Sequence, residues 1–194
     1  MKLYLIRHGQ SETNIQGTYA GQTQVRLTEQ GEADARRAGK LLADVTFDRV
    51  YASDLIRAVR TAELALPGAV IEQTKLLREY DVGSLVGQSF DTLQMRWGDV
   101  FINARASGDY KVFGGEDRAE INARTKRFLD LLTENPCEKV AAFTHRGTLL
   151  SILDNVMGEN VPHSVVRCDN AAVNVLEYKN GVWQIRLWNY EGVI

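Results

Sequence analysis

The spacing of apolar positions changes several times along this chain, and each change marks an element. Residues 2–7 (KLYLIR) form a short apolar run stopped by His8-Gly9, the pattern of a buried strand opening into a loop. Beyond the loop, Gly31, Ala35, Ala38 and Leu42 recur in steps of four, three and four, which is helical spacing. Thr28 stands where an N-cap belongs. Residues 47–52 (FDRVYA) alternate as a strand does. A second helix is predicted to start at Ser53, with Leu55, Ala58, Val59 and Ala62 facing inward. Residues 70–77 are expected to contain another strand, and 90–106 read as helix. Gly114-Gly115 breaks the chain before a helix carrying Ile121, Thr125, Phe128 and Leu132 on one face. Residues 139–144 (KVAAFT) are a further short apolar run, ending at His145, and 147–156 (GTLLSILDNV) read as helix. Finally, 171–178 and 182–188 flank Asn180-Gly181, a two-residue hairpin signal.

Strands alternating with helices predict an α/β fold: a three-layer α/β/α sandwich with a mostly parallel sheet and an antiparallel element near the end. The 194 residues contain no repeat, low-complexity tract or linker, so residues 1–194 are expected to form a single domain.

Composition narrows the function classes. A net charge of -2 and a pI near 6.0 give no overall field favouring nucleic acid or an anionic membrane, so neither partner is expected. No stretch approaches the ~18 apolar residues that span a bilayer, and the opening run is too short for a secretory signal and ends in Arg7. Cys137 and Cys168 are isolated and lack metal-ligand spacing, as expected of a reduced, cytoplasmic protein. The hairpin around Asn180 offers an edge that either pairs with a second copy, making a dimer, or stays in water.

Candidate chemistry follows from two strand ends. Both predicted core strands finish in a histidine, His8 and His145, and ligands of open α/β sheets bind beyond the carboxyl ends of strands. If the strands are parallel neighbours, both imidazoles emerge at one edge. A lone histidine there is ordinarily a structural, hydrogen-bonded residue. His8 has company, however: Arg7 precedes it, Gly9 lets the loop turn sharply, and Asn14 follows in the same loop.

LIRHGQSETN at residues 5–14 resembles the signature of the histidine phosphatase superfamily, the phosphoglycerate mutase-like family. Leu27-Thr28 with Gly31 is similar to its Leu-Thr-x-x-Gly helix start. Residues 53–62 (SDLIRAVRTA) resemble its Ser-x-Leu-x-Arg-Ala-x-x-Thr-Ala helix. Leu77-Arg78-Glu79 resembles its Leu-x-Glu, Gly114-Gly115-Glu116 its Gly-Gly-Glu, and Phe143-Thr144-His145 its second histidine motif, with a weaker echo at Asn170. The blocks run in family order from residue 3 to about residue 147.

The resemblance implies a phosphoglycerate mutase-like fold and a cofactor-independent, metal-independent histidine acid-type phosphatase acting on a small phosphorylated metabolite. It implies that His8 is the nucleophile, forming a phosphohistidine, and that Arg7, Arg57 and His145 surround the transferring phosphoryl group. Fixed cationic donors suit the charge spread over that group's three equatorial oxygens. Glu79 becomes the general acid, with Asn14, Gly21 and Gln22 as phosphate or substrate contacts. Two arginines beside the histidines would repel a divalent cation, and His8, His145 and His163 lack ligand spacing, so no metal is expected. His163, after Pro162, is expected to be structural or exposed. The main alternative is phosphoglycerate mutase-type phosphoryl transfer, against which the short segment 80–113 between Glu79 and Gly114 argues. A non-catalytic phosphate-binding regulator is the other alternative, disfavoured because every motif residue is present. The chain departs from the family at Thr18, Ala20 and residues 84–87 (SLVG). Arg146 stands where a small residue usually follows the second histidine, and it either favours an additional anionic group on the substrate or points to solvent.

Overall fold

The computed structural model describes residues 1–158 and 162–192. In chain order the elements are β1 (Lys2–Arg7), α1 (Glu12–Gln16), α2 (Glu29–Leu41), β2 (Arg49–Ser53), α3 (Ile56–Ala65), β3 (Ile71–Thr74), α4 (Phe90–Trp97), α5 (Asp99–Ser107), α6 (Arg118–Glu134), β4 (Lys139–Thr144), α7 (Arg146–Met157), β5 (Val173–Lys179) and β6 (Val182–Tyr190). The strands form one sheet in the order β3-β2-β4-β1-β5-β6. The first four positions are parallel, and β5 and β6 run antiparallel, so the expected mixed α/β sheet is what the chain forms. Among the described residues no helix is long and apolar enough to cross a membrane.

The three layers follow from the alternation of side chains along each strand. Leu3 and Leu5 of β1, with Val140 and Ala142 of β4, pack on Phe128, Leu129 and Leu132 of α6 and on Leu149 and Ile152 of α7. The alternate residues Ile6, Ala141 and Phe143 face the other way, onto Ala38 of α2 and Ala62 and Ala65 of α3. Truncating a fully buried side chain such as Phe128 would cost about 3–5 kcal/mol. A third apolar cluster, built on Leu85, Leu93, Phe101, Tyr110 and Phe113, fills a cap contributed by residues 80–121.

Local signals account for the helix starts. Thr28 caps α2, its hydroxyl accepting from the Gly31 N–H at 3.0 Å. Asp117 and Glu120 form a reciprocal capping box on α6, at 2.8 and 3.1 Å. Both residues of the Asn180-Gly181 turn take positive φ (53° and 80°), the geometry that the hairpin signal requires.

Three expectations need correction. Ser53 does not start a helix: it is the fully buried last residue of β2, and its hydroxyl accepts from the Leu55 N–H at 3.3 Å, making the turn into α3. The inward face of α3 also carries buried Arg57 and Thr61, which belong to the site, while Val59 is only half-buried. Phe47 lies outside β2 and packs edge-on against Tyr4, at 5.2 Å between ring centroids. The strand expected within 70–77 is β3, which ends at Thr74, where the Thr74 hydroxyl turns the chain into a 3-10 segment by accepting from Leu76 N–H at 3.2 Å. The helix expected over 90–106 is two helices, because Gly98 takes φ 48°, ψ -125°, which a helix cannot continue through.

Candidate active site

β1 and β4 are adjacent and parallel, with Arg7 opposite Thr144. His8 and His145 therefore leave the same sheet edge side by side, their ring centroids 5.2 Å apart. Both are buried, His145 completely. The His8 N–H donates to the Thr144 carbonyl at 2.8 Å, locking the first strand end to the second. On the His8 ring, Nδ1 lies 2.7 Å from the Gly9 carbonyl. A carbonyl only accepts, so Nδ1 carries the hydrogen and the lone pair resides on Nε2.

The loop after His8 is held from three sides. Gly9 N–H donates to the Thr61 hydroxyl at 3.1 Å, and that hydroxyl donates to the Arg57 carbonyl at 2.7 Å. The Asn170 amide donates to the His8 carbonyl at 2.8 Å, and the Ala171 N–H to the Arg7 carbonyl at 3.1 Å. Gly9 also crosses the start of α2 so closely that a Cβ there would collide with the Gly31 backbone.

Two arginines flank the imidazoles, Arg57 buried and Arg7 half-buried. Arg7 Nη1 donates to the Cys168 carbonyl at 2.6 Å, while its buried Nε has no hydrogen-bond partner among the described residues. Arg57 Nη1 and Nη2 donate to the carbonyls of Thr23 and Gly21 at 2.9 and 2.8 Å. Burial, offset by Glu79 and reinforced by Arg7, pulls Arg57 down to about 10, so it stays cationic at neutral pH. Burial, then Arg57 and Arg7, holds His8 well below its ordinary value. Burial and then Arg57, with smaller effects of His8, Arg7 and Arg124, do the same to His145. Both imidazoles are thus neutral. Neither ring nitrogen of His145 has a hydrogen-bond partner among the described residues. A buried polar ring left unpaired is costly, so this cluster is built for an incoming group. Cationic donors and one free imidazole lone pair suit a phosphoryl group.

The Glu79 carboxylate sits at the N-terminus of α7. Its Oε2 accepts from the Gly147 N–H at 3.2 Å, and its Oε1 from the Tyr80 N–H at 2.9 Å. A Cβ on Gly147 would run into the Glu79 carboxylate and the Tyr80 ring, so a side chain here would displace one or both. The backbone around Glu79 is held by Arg124, which donates to the Arg78 carbonyl at 2.8 Å and the Leu76 carbonyl at 3.1 Å. Arg124 is itself paired with Glu116 at 3.0 Å, so the Gly-Gly-Glu segment acts through Arg124 rather than on the pocket.

The sequence-predicted residues sort into two groups. Arg7, His8, Arg57, Glu79 and His145 converge: Arg7 and Arg57 act electrostatically on both imidazoles, and Glu79 on both arginines. Asn14, Gly21 and Gln22 are engaged as supports. Asn14 Oδ1 accepts from the Ser11 N–H at 3.0 Å, the Gly21 carbonyl receives Arg57, and the Gln22 amide bridges the Glu79 carbonyl (3.1 Å) and Arg78 (3.1 Å). His163 is structural, its Nε2 2.9 Å from the buried Asp154 carboxylate. Arg146 is exposed and donates to the His163 carbonyl at 3.3 Å. Sequence reading missed Thr61, Arg124, Gly147 and the Cys168 carbonyl as parts of the site. Thr61 lay within the recognised helix motif; the others act through backbone contacts between distant segments and carry no local signal. Among the described residues no group of three or more His, Cys, Asp or Glu side chains is placed to hold a metal ion.

Comparison with known proteins gives the same family from two directions. The family model of the histidine phosphatase superfamily, branch 1, matches residues 3–191. A 2,3-bisphosphoglycerate-dependent phosphoglycerate mutase of Xanthobacter autotrophicus is 38% identical over 131 residues, which are 63% of this chain and 63% of that protein. The chain thus spans less than two thirds of that relative's length in the match. A protein of the same name from Nitrobacter winogradskyi is 33% identical over 173 residues, 82% of this chain and 84% of the relative. Nearly equal shares mean chains of similar length, so the short segment 80–113 does not separate this protein from these mutases. Among solved structures, the α-ribazole phosphatase of Shigella flexneri superposes with a TM-score of 0.85 at 25% identity, covering 100% of this chain and 98% of that one.

Proposed function

The chain belongs to the histidine phosphatase superfamily, and on that premise we propose that it hydrolyses a phosphate monoester of a small metabolite through a phosphohistidine on His8. The observation that carries this reading is the pairing of a fixed nucleophile with an unpaired partner. His8 holds its hydrogen on Nδ1 toward Gly9, while the neighbouring buried His145 has no partner for either nitrogen among the described residues. His8 Nε2 attacks phosphorus as the bond to the leaving oxygen breaks. Arg7, Arg57 and His145 donate to the three equatorial oxygens. Glu79, in its acid form, gives its proton to the leaving oxygen. The resulting carboxylate then takes a proton from the water that attacks the phosphohistidine, releasing inorganic phosphate and restoring both groups.

No step calls on a cofactor or a metal, and residues 1–194 act in this reading as one cytoplasmic domain. Gly21 and Gln22 would reach substrate only through the loop that they hold against Arg57 and Glu79. The mutase names of the relatives at 38% and 33% identity favour a second reading, in which the phosphoryl group returns to a second oxygen of the substrate instead of passing to water.

A panel of phosphate monoesters with chelator present, run beside His8→Ala, tests the proposal. Turnover that survives chelation and vanishes in the variant is expected, with inorganic phosphate as the product. Isomerised ester without free phosphate would favour the mutase reading, and inertness toward every ester would overturn both.

A further inference from the structure

Among the described residues the Glu79 carboxylate accepts only from two backbone groups, Tyr80 N–H at 2.9 Å and Gly147 N–H at 3.2 Å. Where the acid sits is therefore set by the course of the main chain through residues 76–81. One ion pair, both members half-buried, grips that stretch. Arg124 of α6 donates through Nη1 to the Leu76 and Arg78 carbonyls, at 3.1 and 2.8 Å, and through Nη2 to the Glu79 carbonyl at 3.4 Å. Its Nε and Nη2 also hold Glu116, at 3.3 and 3.0 Å. Glu116 takes the far side of Glu79: its Oε2 accepts from the Asp81 N–H at 2.9 Å, and its own N–H donates to the Asp81 carbonyl at 2.8 Å. Gln22 and Thr148 add bonds to the Glu79 and Arg78 carbonyls, but the Arg124–Glu116 pair spans both sides of the acid and reaches the cap. There the segments 81–83 and 113–116 cross so tightly that a Cβ on Gly115 would strike the Asp81 carbonyl, and one on Gly83 the Phe113 carbonyl.

We propose that Arg124 and Glu116 are positioning residues for the acid step, and that through them proton delivery by Glu79 depends on the crossing at the base of the cap. Their role rests on the phosphohistidine reading above, in which Glu79 gives its proton to the leaving oxygen. A proton donor must come within about 2.6–3.2 Å of its target, and a displacement of about 1 Å can cost about 10²-fold in rate. Arginine suits the clamp, because its rigid fork of N–H donors reaches several carbonyls and a carboxylate at once. The nucleophile is held separately, by Gly9, Thr61 and Asn170. Loosening the clamp should therefore impair protonation of the leaving group and spare attack on phosphorus.

Two esters separate those steps: glycerol 3-phosphate, whose alkoxide must be protonated as it leaves, and p-nitrophenyl phosphate, whose leaving oxygen needs no proton. Arg124→Met is expected to lower kcat/KM about 10–100-fold on the first and less than about threefold on the second. Added to Glu79→Gln, it should cost no more than about twofold further on the first ester, since the clamp then has no acid to aim. Glu116→Gln keeps an oxygen for the Asp81 N–H but loses the charge opposite Arg124. It should show the same selectivity more weakly, and it decides the matter if Arg124→Met does not fold. An equal fall on both esters, or a full further loss in the Glu79→Gln background, overturns the proposal. Amide exchange followed by NMR needs no turnover, and so separates this from failure of the phosphatase reading. The Tyr80 and Gly147 amides should exchange about tenfold or more faster in either variant, with those of β1 and β4 changed far less. Unchanged exchange at these two amides overturns the positioning role.

Discussion

The ends of β1 and β4 start from the same design and finish differently. Each is a buried apolar strand ending in histidine, the two are hydrogen-bonded neighbours, and their rings lie 5.2 Å apart. At the β1 end a glycine loop follows. It places the Gly9 carbonyl on His8 Nδ1, and the loop is tied down by Thr61, Asn170 and Ala171. At the β4 end a helix follows at once, and His145 becomes its N-cap residue in an extended conformation, with both ring nitrogens unpaired among the described residues. The residue type is the same and the surroundings are not, which fits the different roles proposed for the two rings. A nucleophile needs its tautomer fixed in advance, whereas a donor to a developing charge needs its N–H free until the charge arrives.

The sharpest way to break this comparison is to remove each ring. His8→Ala is expected to lower kcat by about 10⁴-fold or more and to abolish any covalent phosphoenzyme in rapid-quench mass measurements. His145→Ala should cost about 10²–10³-fold and leave the phosphoenzyme detectable. Equal losses, or a phosphoenzyme surviving in His8→Ala, would undo the assignment. Glu79→Gln comes next, at about 10²–10⁴-fold with an alkyl phosphate. The loss should be much smaller with p-nitrophenyl phosphate, whose leaving oxygen needs no proton; an equal loss on both would remove the acid role.

Glycine substitutions sharpen the contrast between the two ends. Gly9→Ala drives a methyl into the Gly31 backbone and should destabilise the fold by about 1–3 kcal/mol or more in urea unfolding. Gly147→Ala meets the Glu79 carboxylate and the Tyr80 ring, so kcat should fall more than stability does. The smallest effect concerns pH. Both imidazoles have folded values well below their ordinary ones, so below about pH 6.5 the unfolded chain binds protons that the folded one refuses. Stability from these groups is therefore present above that pH and lost as pH falls toward the folded values. Thermal unfolding should show this loss between pH 7 and pH 5, and it should be smaller in His145→Gln; an unchanged slope would mean the ring is not held neutral.

Much of the fold and of the site is legible in the amino-acid pattern alone. The apolar runs 2–7 and 139–144, the Thr28 cap, the helix marked by Ile121, Thr125, Phe128 and Leu132, and the hairpin at Asn180 are local patterns, set by a side chain's own period and capping chemistry. They recur where expected. Arg7, His8, Arg57, Glu79 and His145 are legible because each sits in a short motif with its own neighbours. Ser53 misleads because a serine before a helix looks like an N-cap, while here the parallel pairing of β2 with β3 carries the strand through it.

What the sequence determined by itself was the inventory: which segments are strand or helix, and which side chains have the chemistry for phosphoryl transfer. The tertiary structure decided their use. Parallel pairing of β1 with β4, strands more than 130 residues apart, set the histidines side by side. The Gly9 carbonyl chose the tautomer of His8, the Gly147 N–H seated Glu79, and Arg124 reached back to carry the Glu79 backbone. The reason is physical. Backbone carbonyls and N–H groups are the same at every position, so a site assembled from them leaves no trace in residue type until the fold brings distant segments into contact.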